Sequence, residues 1–198
     1  MVHASSYEHM TDLVQRHLNP QQPLSVVDIG SYDVNGSYRT LFNAPGWAYT
    51  GIDLSAGPGV DLVLDSPYRF PLKSGSVDLV ISGQAFEHVE YFWLTWLEMV
   101  RVLKPDGMIF LIAPSRGPEH RYPQDCWRFY PDGYRALAKF GSCELVEVGT
   151  DWEGHAEPDS SQWGDTVGVF KKKPFTLRRV IAQAFLKRAL YFHAKATR

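Results

Sequence analysis

Acidic residues follow predicted strands of this 198-residue chain at the spacing of a nucleoside-binding site. A glycine turn starting at Gly30 comes directly after the apolar segment 24–29 and lets the backbone approach a ligand closely. Asp53 ends the next strand, 23 residues after Gly30, where a carboxylate accepts both ribose hydroxyls. Asp65 ends the third strand, where a carboxylate accepts an adenine amino group. Because parallel strands end at one edge of a sheet, these positions together predict a nucleoside site.

Two later segments carry carboxylate and imidazole side chains, which can accept a proton from a substrate. Glu87 and His88 follow the fourth predicted strand at the same edge of the sheet. His120 lies in the long loop 114–130 after the fifth strand, the expected place for a lid over a substrate. A sugar or alkyl hydroxyl is a poor nucleophile until a base takes its proton. We predict His120 as that base, ahead of His88 and Glu87.

The same loop alternates charged and aromatic side chains. Aromatic rings stack on the C–H face of a sugar, and Asp and Arg side chains bind its hydroxyls. We therefore predict substrate binding by Tyr122, Asp125, Trp127 and Arg128. In the alternative interpretation, Trp127 and Phe129 only fix the loop to the body of the protein.

A divalent cation is a second use for these side chains. Carboxylate and imidazole groups are ligands for ions such as Mg²⁺ and Mn²⁺. The candidate ligands are Glu87, His88, His120 and Asp125. Their spacing in the sequence matches no metal motif, so metal binding and acid–base chemistry both stay open at this point.

The elements that must position these residues alternate along the chain. Apolar segments predict strands, and apolar residues at helical spacing predict helices. Strands are predicted over 24–29, 49–54, 60–64, 77–82, 108–113, 144–148 and 166–170, and helices over 7–18, 92–103, 131–140 and 175–192, with a turn at 104–107. This pattern predicts an α/β protein with a Rossmann-like, doubly wound, mostly parallel seven-stranded sheet and helices on both faces.

Composition favours one globular domain. The chain is 44% hydrophobic and 21% charged, and its length fits a single core. We predict a domain over 1–170, with an N-terminal helix in 1–23 covering the site, a cofactor-binding core over 24–113 and the acceptor loop 114–130. The N-terminus has no secretory signal pattern and the two cysteines form no disulfide framework, which favours a cytoplasmic protein.

The charged residues are distributed unevenly, with an acidic body and a basic C-terminal tail. Residues 166–198 contain nine Lys and Arg residues and no Asp or Glu, which leaves the first 165 residues with a net charge of −11. An acidic body argues against a broad nucleic-acid surface. Residues 171–198 predict a basic amphipathic helix. Such a helix either docks on the body or on a second subunit, as in a homodimer, or makes a peripheral contact with an anionic membrane.

Several stretches resemble those of class I S-adenosylmethionine-dependent methyltransferases, in the small group that includes the ubiquinone and sterol type. They stand in the family's order and spacing within residues 24–115: VVDIGSYDVNGS, YTGIDLS, VDLVLDSPYRFPLKSGSVDLVISGQAFEHV and EMVRVLKPDGMIFLIAPS. The resemblance implies S-adenosyl-L-methionine as cofactor and S-adenosyl-L-homocysteine as product. Carried over position by position, the cofactor-binding residues are Asp28, Gly30, Ser31, Asp53, Leu54, Asp65, Ser66 and Gln84. The chain departs from the family around Tyr32 and Asp33, where the usual middle glycine is replaced.

A dinucleotide-dependent dehydrogenase is the rival interpretation of the same fold. Its pyrophosphate would be repelled by Asp28 and Asp33, whereas these carboxylates suit the ammonium and sulfonium groups of the methyl donor. Nucleic-acid methylation is not predicted, because Ser82-Gly-Gln-Ala85 replaces the Asn/Asp-Pro-Pro-aromatic motif and neither cysteine follows a proline.

The segment 120–129 resembles the His-x-x-Pro-x-Asp-x-x-Arg-Phe stretch of methyltransferases from bacterial polysaccharide clusters. The sequence therefore predicts O-methylation of a sugar or glycan hydroxyl, with a small-molecule or oligosaccharide acceptor. Two alternatives stay open: methylation of a small metabolite (amine or phenol), and a catalytically idle nucleoside-binding partner subunit.

Overall fold

A seven-stranded sheet forms the centre of the protein. The computed structural model describes residues 2–174 and 177–196. The strands are β1 (Leu24–Ile29), β2 (Trp47–Asp53), β3 (Leu62–Val63), β4 (Val77–Gly83), β5 (Leu103–Pro114), β6 (Cys143–Thr150) and β7 (Asp165–Lys172). Their order is β3-β2-β1-β4-β5-β7-β6, and β7 runs antiparallel to both of its neighbours. The predicted mostly parallel sheet is confirmed.

Helices cover both faces of this sheet, as predicted. They are α1 (Ala4–His17), α2 (Phe92–Val102), α3 (Pro131–Gly141), α4 (Pro158–Ser161) and α5 (Leu177–Ala196), with 3-10 turns at Tyr38–Phe42 and Phe86–His88. One apolar core joins α1 and the first 3-10 turn to the sheet. The other joins α2 and α3 to the opposite face, and α5 packs on the outside of α2. In the described part of the chain, no helix is long and apolar enough to span a membrane.

The connections from β1 to β2 and from β2 to β3, both described in full, contain no α-helix. The segment between β1 and β2 holds a single 3-10 turn, and residues 54–61, all of them described, hold no helix between β2 and β3. Ser55-Ala-Gly-Pro-Gly59 favours turns in this second connection. The carboxyl edge of β1 and β2 is therefore bordered by loops and a 3-10 turn rather than by α-helices.

Element boundaries depart from the sequence prediction in a few places. The predicted turn over 104–107 lies inside β5, because Val77 pairs with Leu103 while Leu79 pairs with Met108 and the four intervening residues bulge out of the ladder. Asp106 takes a φ of +62° at this bulge. Strand β3 keeps two of its five predicted residues. The C-terminal helix begins at Leu177 and ends at Ala196, and Phe175, its predicted start, lies outside the described residues.

Candidate functional site

The turn after β1 brings the backbone close to the end of β4. Gly30 has a φ of +81°, and a Cβ built on it would lie 2.5 Å from the Cβ of Ala85. Both requirements, the left-handed backbone and the close approach, favour glycine. The N–H groups of Gly30 and Ser31 donate to the carbonyl of Ile52. The turn is thereby fixed between β2 and β4, with Asp28 directly before it.

Asp28 is a buried carboxyl group at the base of this turn. It is 3% exposed, and the hydroxyl of Tyr49 donates a hydrogen bond to its Oδ2. Burial raises the pKa of Asp28 to about 7, although the Tyr49 bond and the Arg39 charge oppose the rise. Arg39 lies over the Tyr49 ring, 4.4 Å from its centroid. Asp28 is therefore poised to ionise when a cationic group binds beside it.

A small cavity opens beside Asp28. Its lining comprises Val2, Asp28, Gly30, Ser31, Tyr32, Gly36, Ser37, Tyr38 and Gly83. The Ser31 hydroxyl is buried and has no hydrogen-bond partner among the described residues, so it is available to a ligand. The structure thus brings three predicted cofactor residues, Asp28, Gly30 and Ser31, around one cavity.

Asp53 lies at the carboxyl end of β2, as predicted. Its carboxylate accepts the N–H of Tyr32 at 3.2 Å and that of Ser55 at 3.0 Å, which fixes its orientation. Leu54, the next residue, is 49% exposed. An exposed apolar side chain beside a fixed carboxylate is the arrangement that a nucleoside needs, with hydroxyls on one group and a base on the other.

Asp65 and Ser66 line a different, larger cavity. It has a volume of about 760 Å³ and lies between the segment after β3 and helices α2 and α5, where Lys187 and Tyr191 also line it. The Asp65 side chain is exposed, and the Ser66 hydroxyl accepts the N–H of Tyr68 at 3.3 Å. These two predicted residues therefore do not line the cavity beside Asp28.

Gln84 lies at the end of β4, in a left-handed conformation with a φ of +57°. Its side-chain amide donates to Asp165 Oδ1 at 2.8 Å and to Ser6 Oγ at 3.3 Å. Asp165 is fully buried and also contacts His3 Nε2 at 3.2 Å. Burial alone would raise the pKa of Asp165, but its bonds to His3 and Gln84 outweigh burial and hold that pKa below its usual value.

Glu87, His88 and His120 converge at the same end of the sheet. Each offers one nitrogen or oxygen atom, and these atoms lie within 4.8 Å of one another. Burial raises the pKa of Glu87 to about 7 and lowers that of His88 to about 4. Burial also lowers the pKa of His120, although the Asp125 carboxylate opposes this. Both imidazoles are therefore neutral at pH 7 and present lone pairs.

The loop 115–130 packs over this cluster through main-chain and side-chain bonds. The Glu87 carbonyl accepts the N–H groups of Cys126 and Trp127, and the Trp127 indole donates to the carbonyl of Val89 at 3.1 Å. Asp125 and Arg128 form a two-bond ion pair at 2.6 and 2.8 Å. That pair holds the pKa of Asp125 well below its usual range.

The aromatic residues of the loop divide into fixed and exposed ones. Phe129 is buried against Phe86 and Phe92. Tyr122 is 52% exposed and Trp127 38% exposed, despite the bonds that fix the Trp127 indole. Rings at the surface beside the cluster remain accessible to an incoming molecule.

The chain is similar in sequence to known methyltransferases. Residues 27–111 match the family model described as a methyltransferase domain. Over this segment the chain is similar to a methyltransferase domain. It is 31% identical over 140 residues to an uncharacterized methyltransferase of Mycobacterium bovis (strain BCG / Pasteur 1173P2), a match that covers 63% of this chain and 52% of the relative. The chain thus spans about half the length of that relative.

Solved structures show the same fold at low sequence identity. The Burkholderia thailandensis 1,6-didemethyltoxoflavin-N1-methyltransferase, solved with S-adenosylhomocysteine, superposes with a TM-score of 0.67 at 15% identity, covering 86% of this chain and 79% of that one. The [4+2]-cyclase SpnF superposes with a TM-score of 0.64 at 12% identity, covering 85% and 81%. Because one neighbour is named as a cyclase, the fold by itself does not specify the reaction.

The candidate site contains residues that the sequence prediction missed. Tyr49 bonds Asp28 from the neighbouring strand, and the register that pairs Asp28 with Gly51 places Tyr49 beside it. Asp165 starts β7, and because β7 is antiparallel its first residue lies at the carboxyl edge of the other strands. Its position just before a predicted strand was visible in the sequence, but the direction of that strand was not.

Proposed function

We propose that this chain transfers the methyl group of S-adenosylmethionine to a hydroxyl group of a sugar or glycan. The observation that carries the proposal is the position of the buried Glu87–His88–His120 cluster. Gly30 of the cofactor turn approaches Ala85, and Glu87 follows two residues later. A methyl donor at the turn and a proton-accepting cluster would then lie side by side, which is what O-methylation requires.

The donor would bind along the turn after β1 and the end of β2. Asp28 and Ser31 offer an ionisable carboxyl and an unpartnered hydroxyl to the methionine part. Asp53 offers an oriented carboxylate to the ribose. Gly30 lets the turn approach Ala85 closely, which places these groups beside the end of β4. The carboxyl and hydroxyl groups complement the donor, which carries an ammonium group, a sulfonium and ribose hydroxyls.

The chemical step is an in-line displacement. The acceptor oxygen forms a bond to the methyl carbon while the carbon–sulfur bond breaks, and its electron pair stays on sulfur in S-adenosylhomocysteine. The hydroxyl proton leaves toward the cluster, so the products are a methyl ether and the thioether. The enzyme's contribution is orientation, exclusion of water and removal of this proton.

The sugar part of the proposal depends on the loop over the cluster. Tyr122 and Trp127 present partly exposed rings on which a pyranose face can stack. Asp125 and Arg128 hold each other, so their hydroxyl-binding role would be limited to atoms at the edge of the ion pair. We assign them mainly to positioning His120, whose main-chain N–H donates to Asp125 Oδ2 at 2.8 Å.

Product analysis with a panel of acceptors tests this function. Purified protein is incubated with S-adenosylmethionine and mono- and oligosaccharides, simple amines and phenols, and S-adenosylhomocysteine and methylated products are measured. We expect methyl ethers from saccharides. His120→Ala should lower turnover by about 10²–10⁴-fold with donor affinity unchanged. His17→Ala, which removes a histidine paired with Glu147 instead, is the matched control.

Other products would replace the proposal with one of its rivals. Transfer to amines or phenols alone would identify a small-metabolite methyltransferase. Binding of S-adenosylhomocysteine with no transfer to any acceptor would favour a nucleoside-binding subunit without turnover. Failure to bind S-adenosylhomocysteine would contradict the donor site itself.

A further inference from the structure

Glu87 is a buried carboxylate without a hydrogen-bonding partner for its side chain. It is 0% exposed, and neither of its oxygens has a hydrogen-bond partner among the described residues. Its main chain, in contrast, is fixed, because its carbonyl accepts two N–H groups from the loop. A buried carboxylate left in this state is costly. Some positive group must compensate it when it is ionised.

An imidazole nitrogen of His88 faces this carboxylate. His88 Nδ1 lies 2.6 Å from the carbonyl oxygen of Gln124. A carbonyl only accepts, so Nδ1 carries the ring hydrogen, and Nε2 of the neutral ring is left with its lone pair. His88 Nε2 is buried without a hydrogen-bond partner in the described chain and lies 3.6 Å from Glu87 Oε1. Two acceptors therefore face each other.

His120 completes the group from the loop. Its ring centroid lies 4.7 Å from that of His88, and its Nδ1 lies 3.3 Å from Asp125 Oδ2. Asp125 is itself held by Arg128 and by the main-chain N–H of His120. Histidines that bind metals commonly have one nitrogen oriented by a carbonyl or a carboxylate in this way. His88 Nδ1 bonds the carbonyl of Gln124, whereas the His120 ring lies beside the Asp125 carboxylate without a hydrogen bond to it.

We infer that Glu87, His88 and His120 bind one divalent transition-metal cation of the Zn²⁺ type. The donor set of one carboxylate and two imidazoles is that of open catalytic zinc sites and of two-histidine, one-carboxylate iron sites. It fits Mg²⁺ less well, because Mg²⁺ prefers oxygen ligands. Asp125, a fourth candidate from the sequence, is engaged by Arg128 and serves to orient His120.

A second group of one histidine and two carboxylates differs from this cluster because its polar atoms have hydrogen-bond or ion-pair partners. His9, Asp151 and Asp165 also lie close enough together to hold a cation. There, however, His9 Nε2 bonds Asp151 at 2.6 Å, and Asp165 contacts Ser5, Gln84 and His3. Because these polar atoms already have partners, this group gains little from a cation.

The cation would act on the same hydroxyl that the proposed function assigns to the cluster. A bound cation that keeps an open position lowers the pKa of a coordinated oxygen. His120 is then a ligand rather than a free base. The metal site can be tested without donor or acceptor, so its failure would leave the proposed O-methylation standing, and the reverse also holds.

Cobalt titration of the untagged, chelator-treated full chain tests the inference. Co²⁺ reports its coordination through visible absorption, and Zn²⁺ should displace it. We expect one Co²⁺ per chain and displacement by Zn²⁺ at a far lower concentration than by Mg²⁺. Glu87→Gln and His120→Ala should each weaken binding at least tenfold. Asp125→Asn should weaken it by about 10- to 100-fold. His9→Ala, in the fully bonded group, should bind as the wild type does.

Folding of each variant is checked by circular dichroism and by calorimetry with S-adenosylhomocysteine. His120→Ala changes a partly exposed loop residue, so it keeps the test valid if Glu87→Gln does not fold. No uptake of Co²⁺ or Zn²⁺ by the wild type would overturn the inference. Uptake that survives both ligand variants, or that is lost only in His9→Ala, would overturn it as well.

Discussion

Asp28 shows how burial changes the ionisation of a single carboxyl group. Its strand position follows from the sequence, but its pKa near 7 comes from being enclosed between β2 and β4. An ammonium or sulfonium group attracts the ionised form. Binding of a cationic ligand beside Asp28 is therefore coupled to loss of a proton at pH values below about 7.

This coupling predicts a pH-dependent affinity for S-adenosylhomocysteine. As pH falls from 8 to 6, Asp28 takes up its proton and the ammonium group of the ligand loses its carboxylate partner. We expect affinity to fall toward pH 6, by at most tenfold per pH unit because one proton is involved. Calorimetry between pH 6 and 8 measures it. In Asp28→Asn the affinity should be weak and nearly independent of pH, and an unchanged slope in that variant would refute the assignment.

Asp53 should hold the ribose. Asp53→Ala leaves the ribose hydroxyls without their acceptor at a cost of about 1–3 kcal/mol, which is roughly 5- to 150-fold in affinity. Calorimetry with S-adenosylhomocysteine measures this loss. Asp132→Ala, which removes an exposed carboxylate on α3, serves as the control. Equal affinities of Asp53→Ala and the wild type, or binding of NAD by the wild type, would refute a methyl-donor site here.

At the scale of elements, one buried carboxylate joins α5 to the body. Glu98 on α2 is fully buried and accepts hydrogen bonds from the N–H of Phe70, from Arg101 and from Lys187 of α5. Burial alone would raise the pKa of Glu98, but Arg101 and Lys187 outweigh burial and lower it. Leu190, Tyr191 and Ala194 of α5 belong to one apolar cluster with residues of α2. The helix is therefore attached by charge as well as by apolar contact.

Removing this charge should destabilise the protein and loosen α5. Glu98→Gln leaves two partly exposed cations without their partner, and the cost should lie below the value of about 3–5 kcal/mol for a fully buried pair. We expect a lower Tm and faster hydrogen exchange in α5. Glu144→Gln on β6, an exposed position, should leave both unchanged. A Glu98→Gln protein with wild-type exchange in α5 would show that apolar packing alone holds the helix.

At the scale of the whole molecule, α5 presents a second, outward face. Ile181, Phe185 and Phe192 are 61%, 76% and 56% exposed, and their spacing places them on one side of the helix. Arg188 lies over the Phe192 ring, with 5.6 Å from its guanidinium carbon to the ring centroid. The side chains of Arg178 and Arg179 and residue Arg198, which complete the predicted basic tail, lie outside the described part. Helices that lie on anionic membranes carry basic and apolar residues on opposite faces. In α5 these residues are mixed around the helix, with Arg188 on the same face as Phe192, so the predicted amphipathic pattern is wrong.

The membrane contact stays a prediction from the sequence, and substitution of exposed residues on α5 can test it. We expect the protein to co-sediment with anionic vesicles and not with neutral ones, and to dissociate as salt is raised. Replacing both Phe185 and Phe192 by serine should abolish binding, whereas Phe140→Ser, at a partly exposed position on α3, should not. Indifference to both vesicle types, with a dimer that the double variant dissociates, would favour the homodimer instead.

Prediction from the sequence was most accurate where a residue depends on its neighbours in the chain. Strand β1 has the predicted bounds, and Gly30 follows it in the expected left-handed turn. Asp53 ends β2, and Glu87 and His88 follow β4. Apolar runs and glycine turns are set by steric and burial rules that act over a few residues, so the order of residues is enough to locate them.

Long-range partners were not predictable in the same way. Asp28 accepts a hydrogen bond from Tyr49, and Asp125 forms an ion pair with Arg128. Asp65 lines a different cavity from the one beside Asp28. The first two outcomes depend on which polar group pairs with a buried carboxylate and at what desolvation cost, and the third depends on how the segment after β3 packs beside α2 and α5. That competition is decided by packing across the sheet, so it cannot be derived from spacing along the chain.

The sequence by itself therefore determined the layered α/β architecture, the place of the glycine turn after β1 and the residue types at the carboxyl edge of the sheet. Only the tertiary structure decided that Glu87, His88 and His120 share one buried space while Asp125 is held by Arg128. The physical reason is that hydrophobic periodicity specifies elements locally. The pairing of buried charges is specified only after β5, its loop and the turn at Glu87 have packed together.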